Sequence, residues 1–96
     1  MNDFAVKCAS VASSVARSYE GQYMAGASHG KVVEIEFTYW YQQPETLEQA
    51  IEIANSFLPM RPYGDFGETF KMVSYEHAIR DVIAALNKEF EGMPAT

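Results

Sequence analysis

Apolar positions recur along this chain with two different periods. Phe4, Cys8, Val11, Val15 and Tyr19 fall at helical spacing, with a stripe of Ala5, Ala9, Ala12 and Ala16 beside them. Ser10, Ser13, Ser14, Arg17 and Ser18 are left for the wetter side. This spacing predicts a helix from residue 3 to about 20, with Asp3 as its N-cap and Gly21 as its stop. The alanine stripe leaves room for another element to approach closely. From Lys31 to Tyr41 the period shortens to two. Val33, Ile35, Phe37, Tyr39 and Tyr41 alternate with Val32, Glu34, Glu36, Thr38 and Trp40. That alternation, in a run rich in β-branched and aromatic residues, predicts a strand whose odd-numbered side faces a core.

Helical spacing returns at Leu47, Ala50, Ile51, Ala54 and Leu58, after Pro44 in a tolerated first-turn position and before Pro59. Residues 59–68 then read as the longest loop and Thr69–Val73 as a short strand. A last helix follows, capped by Ser74 and lined by Ile79, Val82, Ile83, Leu86 and Phe90, with Gly92 and Pro94 closing it. Residues 22–30 carry turn signals at Gly26 and Ser28-His29-Gly30, and residues 22–27 read either as a short strand pairing back as a hairpin or as loop. The expected fold class is α+β. A small β-sheet of two or three strands packs against about three helices, in the order α-β(β)-α-β-α. Residues 1–96 read as a single domain, with residues 93–96 a frayed tail.

Composition narrows the function classes. Apolar residues make up 48% of the chain, enough for a core. Thirteen acids against seven bases give a net charge of −6. That balance argues against direct nucleic-acid binding, which needs clustered Lys and Arg, and against docking on anionic membranes. One cysteine excludes an intrachain disulfide and suits a reducing compartment. No apolar run approaches the ~20 residues that span a bilayer, and Met1-Asn2-Asp3 lacks the basic start of a signal peptide. The expected location is cytoplasmic.

The chemical motifs are weak. Asp65-Phe66-Gly67 matches a kinase tripeptide, but the glycine-rich loop, strand lysine and catalytic loop of a kinase are missing. Gly26 to Lys31 is one residue short of a phosphate loop, and Val32 stands where a hydroxyl must hold magnesium. His29, His77 and Cys8 lie on separate elements without the paired spacing of a zinc site. Cys8 sits on the apolar stripe, the setting of a small core residue and not of an activated thiol. Neither a catalytic residue, a metal nor a cofactor is implied, and the chain does not read as an enzyme.

Two features remain. The first is acidic: between Lys31 and Arg61 there are five glutamates and no Lys or Arg. On a strand, Glu34 and Glu36 would share one face. Glu45, Glu48 and Glu52, spaced i, i+3, i+7, would share one face of the following helix. Surface carboxylates are ordinary solvating groups, yet a merely soluble surface usually mixes signs. The second is the aromatic run Tyr39-Trp40-Tyr41, in which Trp40 would face away from both tyrosines and serve as a satellite core residue or an interface anchor. Arg61, Tyr63 and Asp65, on the long loop, join the candidate contacts. In size, acidity and lack of motifs the chain resembles the small inhibitors encoded by phages and mobile elements, such as anti-CRISPR proteins. That resemblance is one of type and implies a basic, nucleic-acid-handling protein partner. The alternative expectation is a homodimer or other homo-oligomeric structural or ligand-binding module, paired through the aromatic strand.

Overall fold

The first helix is started by Asn2. Its side-chain oxygen accepts the Ala5 N–H at 2.6 Å, which satisfies one of the orphan donors at a helix start. Asp3, expected as the cap, is instead the first residue of α1 (Asp3–Ser18), where its charge complements the positive helix end, as Arg17 complements the last turn. The computed structural model describes residues 2–20, 26–58 and 66–91, with side chains given except at 26–27 and 66–75. Three more helices follow: α2 (Gly26–Gln42), α3 (Leu47–Asn55) and α4 (Phe66–Glu89).

There is no strand among the described residues, which form a small all-helical arrangement. This overturns the α+β expectation. The run 31–41 is the middle and end of α2, and residues 69–73 belong to α4. Of the expected hairpin, Gly26 and Ala27 are helical, while 22–25 lie outside the described residues. Ser74, expected as a cap, lies well inside α4. So do residues 66–68 of the expected loop, whose remainder, 59–65, lies outside the described residues together with 92–96.

The misreading of α2 has a geometric cause. Residues two apart on a helix are separated by about 200°, so they fall on nearly opposite sides. The odd-numbered apolar residues therefore alternate between two faces. Ile35 and Tyr39 turn inward and are fully buried, whereas Phe37 and Tyr41 turn outward. A helix that is apolar on two faces imitates the alternation of a half-buried strand.

α3 begins with a capping box that the Thr46-Leu47-Glu48-Gln49 sequence encodes. The Gln49 N–H donates to the Thr46 hydroxyl at 3.1 Å, and the Gln49 side-chain oxygen accepts the Thr46 N–H at 3.3 Å and the Glu45 N–H at 2.7 Å. The helix thus starts at Leu47 and not at Pro44, which is buried in the connection.

Helices α1, α2 and α4 all pack on one another, and α3 lies against α2 and α4. On α1 the fully buried surface is Ala5, Cys8, Ala9, Ala12 and Ala16, with Phe4, Val11, Val15 and Tyr19 as its half-buried flanks. The alanine stripe does what small residues permit, since the α1–α2 contact is the most extensive in the fold. Val32, Ile35 and Tyr39 of α2 and Ile79, Val82 and Leu86 of α4 supply the volume. Phe4 and Phe90 meet with ring centroids 4.7 Å apart, which joins the start of α1 to the end of α4. The buried Tyr39 hydroxyl donates to the Ala50 carbonyl at 2.7 Å and holds α3 to α2.

Two substitutions test this packing in urea unfolding. Tyr39→Phe removes one buried hydrogen bond and is expected to cost about 0.5–1.5 kcal/mol. Ala12→Leu forces bulk into the α1 contact face and is expected to cost about 1–3 kcal/mol. An Ala12→Leu protein as stable as the wild type would contradict the close approach of α1.

Candidate functional site

Among the described residues, the outward face of α2 carries three of the four exposed large apolar side chains. Its inward stripe is Ser28, Val32, Ile35 and Tyr39, all fully buried. On the other side Val33, Phe37, Trp40 and Tyr41 stand at i, i+4, i+7 and i+8, the spacing of a core-facing helix stripe. Val33 is half-buried against the core, but Phe37 is 65% exposed, Trp40 45% and Tyr41 90%. Together these three present roughly 400 Å² of aromatic surface to solvent. Isolated exposed apolar residues are ordinary, whereas a contiguous patch of this size on a monomer commonly marks a contact surface.

The carboxylates expected on one strand face are distributed differently. Glu34 and Glu36 lie on opposite edges of the aromatic stripe, because the helix turns them about 200° apart. Glu34 is exposed and neighbours Phe37 and Tyr41 at i+3 and i+7. Glu36 is half-buried and neighbours Trp40 at i+4. Lys31 reaches Glu34 at 3.2 Å, a surface pair of the kind worth about 0–1 kcal/mol. Trp40 was expected to face away from both tyrosines. It shares the outer face with Tyr41 and is separated from Tyr39 alone.

The remaining acids cluster at the α2–α3 junction. Glu48 and Glu52 are exposed one turn apart on α3, and Glu45 is exposed just before it. Glu45 and Glu52 line an open cleft of about 580 Å³ with Gln42, Gln43, Pro44 and Gln49. Gln43 bends the chain there with a positive φ of 50°, a conformation that costs a non-glycine residue about 1–3 kcal/mol. Its carbonyl accepts a hydrogen bond from the Asn2 side chain at 3.3 Å. Arg61, Tyr63 and Asp65 lie outside the described residues.

Phe37 and Tyr41 are contact candidates that the strand reading had assigned to the core. The signal for them was present in the spacing of Val33, Phe37, Trp40 and Tyr41, which fits a helix as well as the alternation fits a strand. Cys8 is fully buried, and burial pushes its thiol from 9.0 up to about 12, so it presents no thiolate nucleophile at neutral pH. No group of three or more His, Cys, Asp and Glu among the described residues is placed to hold a metal ion. No described helix is long and apolar enough to cross a membrane.

These features define a small helical domain whose second helix is apolar on both sides and covered on one. No protein-family model, curated protein or solved structure matches the chain.

Two buried acids, Cys8 and Tyr39, and the half-buried Tyr19 make the fold sensitive to alkali. The Tyr19 hydroxyl donates to Asp81 at 2.5 Å, and burial, then this bond and the Asp81 charge, push Tyr19 from 10.0 up to about 12. Burial, then the nearby Cys8, pushes Tyr39 above the ordinary tyrosine range. Each folded-state pKa lies above its unfolded value, so the stabilisation is fully present below pH 9.0 and is lost as pH rises toward about 12. The urea midpoint is expected to fall across that window. Cys8→Ala should remove the part of the decline that begins near 9.0 and leave the tyrosine part that begins near 10.0. A midpoint that stays flat throughout would contradict the burial of these groups.

Proposed function

We propose that this protein is a small non-enzymatic inhibitor that docks an acidic, aromatic-edged face on a basic, nucleic-acid-handling protein. The observation that carries this reading is the pairing of the exposed Phe37, Trp40 and Tyr41 with five glutamates in a span, residues 32–60, that has no Lys or Arg. Fixed carboxylates on a rigid helical frame attract a surface built to receive phosphates, and their field steers encounter with it. The form of inhibitor that size and acidity suggest is the phage or mobile-element type, anti-CRISPR-like in its mode of action. The contact set is Glu34, Glu36 and Trp40 on α2 with Glu45, Glu48 and Glu52 around α3.

A homodimer is the second reading, and the outward aromatic stripe of α2 is the observation that favours it. Light scattering decides it, because a mass independent of concentration removes the dimer, whereas a dimer lost in Trp40→Ala supports it.

Affinity capture from bacterial lysate at low and high salt, with the retained proteins identified by mass spectrometry, tests the inhibitor reading. A basic nucleic-acid-handling protein retained at low salt and weakened at high salt is the expected result, because salt screens exposed charges. Reversing Glu45→Lys and Glu48→Lys together should then weaken binding ~tenfold or more while leaving the helical circular dichroism intact. Unchanged affinity in that variant would remove the acidic docking face.

A further inference from the structure

We infer that the outward stripe of α2 is a helix-packing surface for a basic amphipathic helix of the partner. This rests on the binding reading above and specifies its contact. The stripe has the spacing of a core-facing helix surface, and α2 already packs on α1 and α4 through its other side. Among the described residues, no helix covers Phe37, Trp40 and Tyr41 on this side. Val33 to Tyr41 spans about 12 Å, so two to three turns of a partner helix cover it.

Charge selects the occupant. Glu34 and Glu36 bracket the aromatic residues on both edges, so the complementary element carries an apolar stripe with Lys or Arg on each side of it. Such a helix buries Phe37, Trp40 and Tyr41 and places a cation near each carboxylate. Glu34 can exchange Lys31 for a partner cation, because exposed pairs of this kind are weak. A second copy of this chain is a poor occupant, since it brings its own net charge of −6 and its own bracketing glutamates to the same surface.

Trp40 is the only tryptophan and sits within the stripe, so its fluorescence reports occupancy directly. The full chain is titrated with three synthetic peptides: an amphipathic leucine–lysine helix, a polylysine of equal charge, and an amphipathic leucine–glutamate helix. Expected is a saturable blue shift of Trp40 with the leucine–lysine peptide, weakened by salt, and none with the other two. Phe37→Ala and Tyr41→Ala, both at exposed positions, should each weaken that binding by roughly fivefold or more. Circular dichroism verifies that these variants remain helical.

If leucine–lysine and polylysine bind equally with no blue shift, this inference fails while the acidic docking reading stands. Absence of binding by both basic peptides would overturn the two together. Equal binding of the leucine–glutamate peptide would overturn the charge selection. A Trp40 blue shift that grows with protein concentration alone, with a dimer in sedimentation, would assign the stripe to a second copy instead.

Discussion

The close approach of α1 to α2 is the constraint on which the rest of this fold depends. α1 commits alanines and Cys8 to the contact, so it brings little volume of its own. Large side chains must come from the facing helices, and Tyr39 is the largest fully buried one. A phenol at that depth needs an acceptor, because an unpaired buried hydroxyl costs about 1–3 kcal/mol. The Ala50 carbonyl supplies it, and this choice fixes where α3 lies. α3 is nine residues long, too short to persist alone in water. Its capping box and the Tyr39 bond supply from outside what its length does not. The small side chains of α1 thus determine, through Tyr39, the position of a helix with which α1 shares no extensive contact.

The same constraint sets the two sides of α2 apart. The side toward α1 and α4 is filled and closed, down to the buried Ser28. The opposite side carries residues just as apolar, and the described helices leave three of them open to solvent. Exposed aromatic rings contribute little to folding, so this side of α2 is not accounted for by the stability of the isolated chain. Its spacing suits helix packing, and the carboxylates at its edges suit a basic neighbour.

Much of the helical content was legible in the residues, for definite reasons. The inward stripes of α1, α3 and the second half of α4 fall at helical spacing, whereas the helix starts were misplaced: Asn2 and not Asp3 caps α1, Thr46 caps α3, and Ser74 lies inside α4. α2 was not legible as a helix. Its two apolar faces convert a 3.6-residue period into an apparent alternation, and its β-branched and aromatic content reinforced the strand reading. The first half of α4 failed for a related reason: Gly67, Thr69, Phe70 and Val73 favour other conformations locally, and helix propensity is a weak prior that context overrides. The acidic span was visible at once, because charge counts do not depend on secondary structure. Its arrangement was not. Glu34 and Glu36 change from one face to two opposite edges when the strand becomes a helix, and Phe37 and Tyr41 pass from core to surface in the same step.

That rearrangement strengthens the electrostatic argument. On a strand the two carboxylates would share a face with Trp40 and lie away from Phe37 and Tyr41. Placed on both edges of the stripe, they act on whatever approaches it. An apolar patch alone accepts any apolar surface, including a copy of itself, and is an aggregation hazard. Glutamates on its two margins impose a penalty on acidic and neutral occupants that a basic one does not meet, and specificity is set by such differences as much as by attraction. The absence of Lys and Arg from residues 32–60 has the same effect over a longer range, since no cation within that span offsets the field. Lys31, at the margin, is held by Glu34 in a pair weak enough to open. In the proposed contact, apolar area and charge would act on different aspects of binding: the aromatic rings would set how tightly an occupant is held, and the carboxylates which occupant it is.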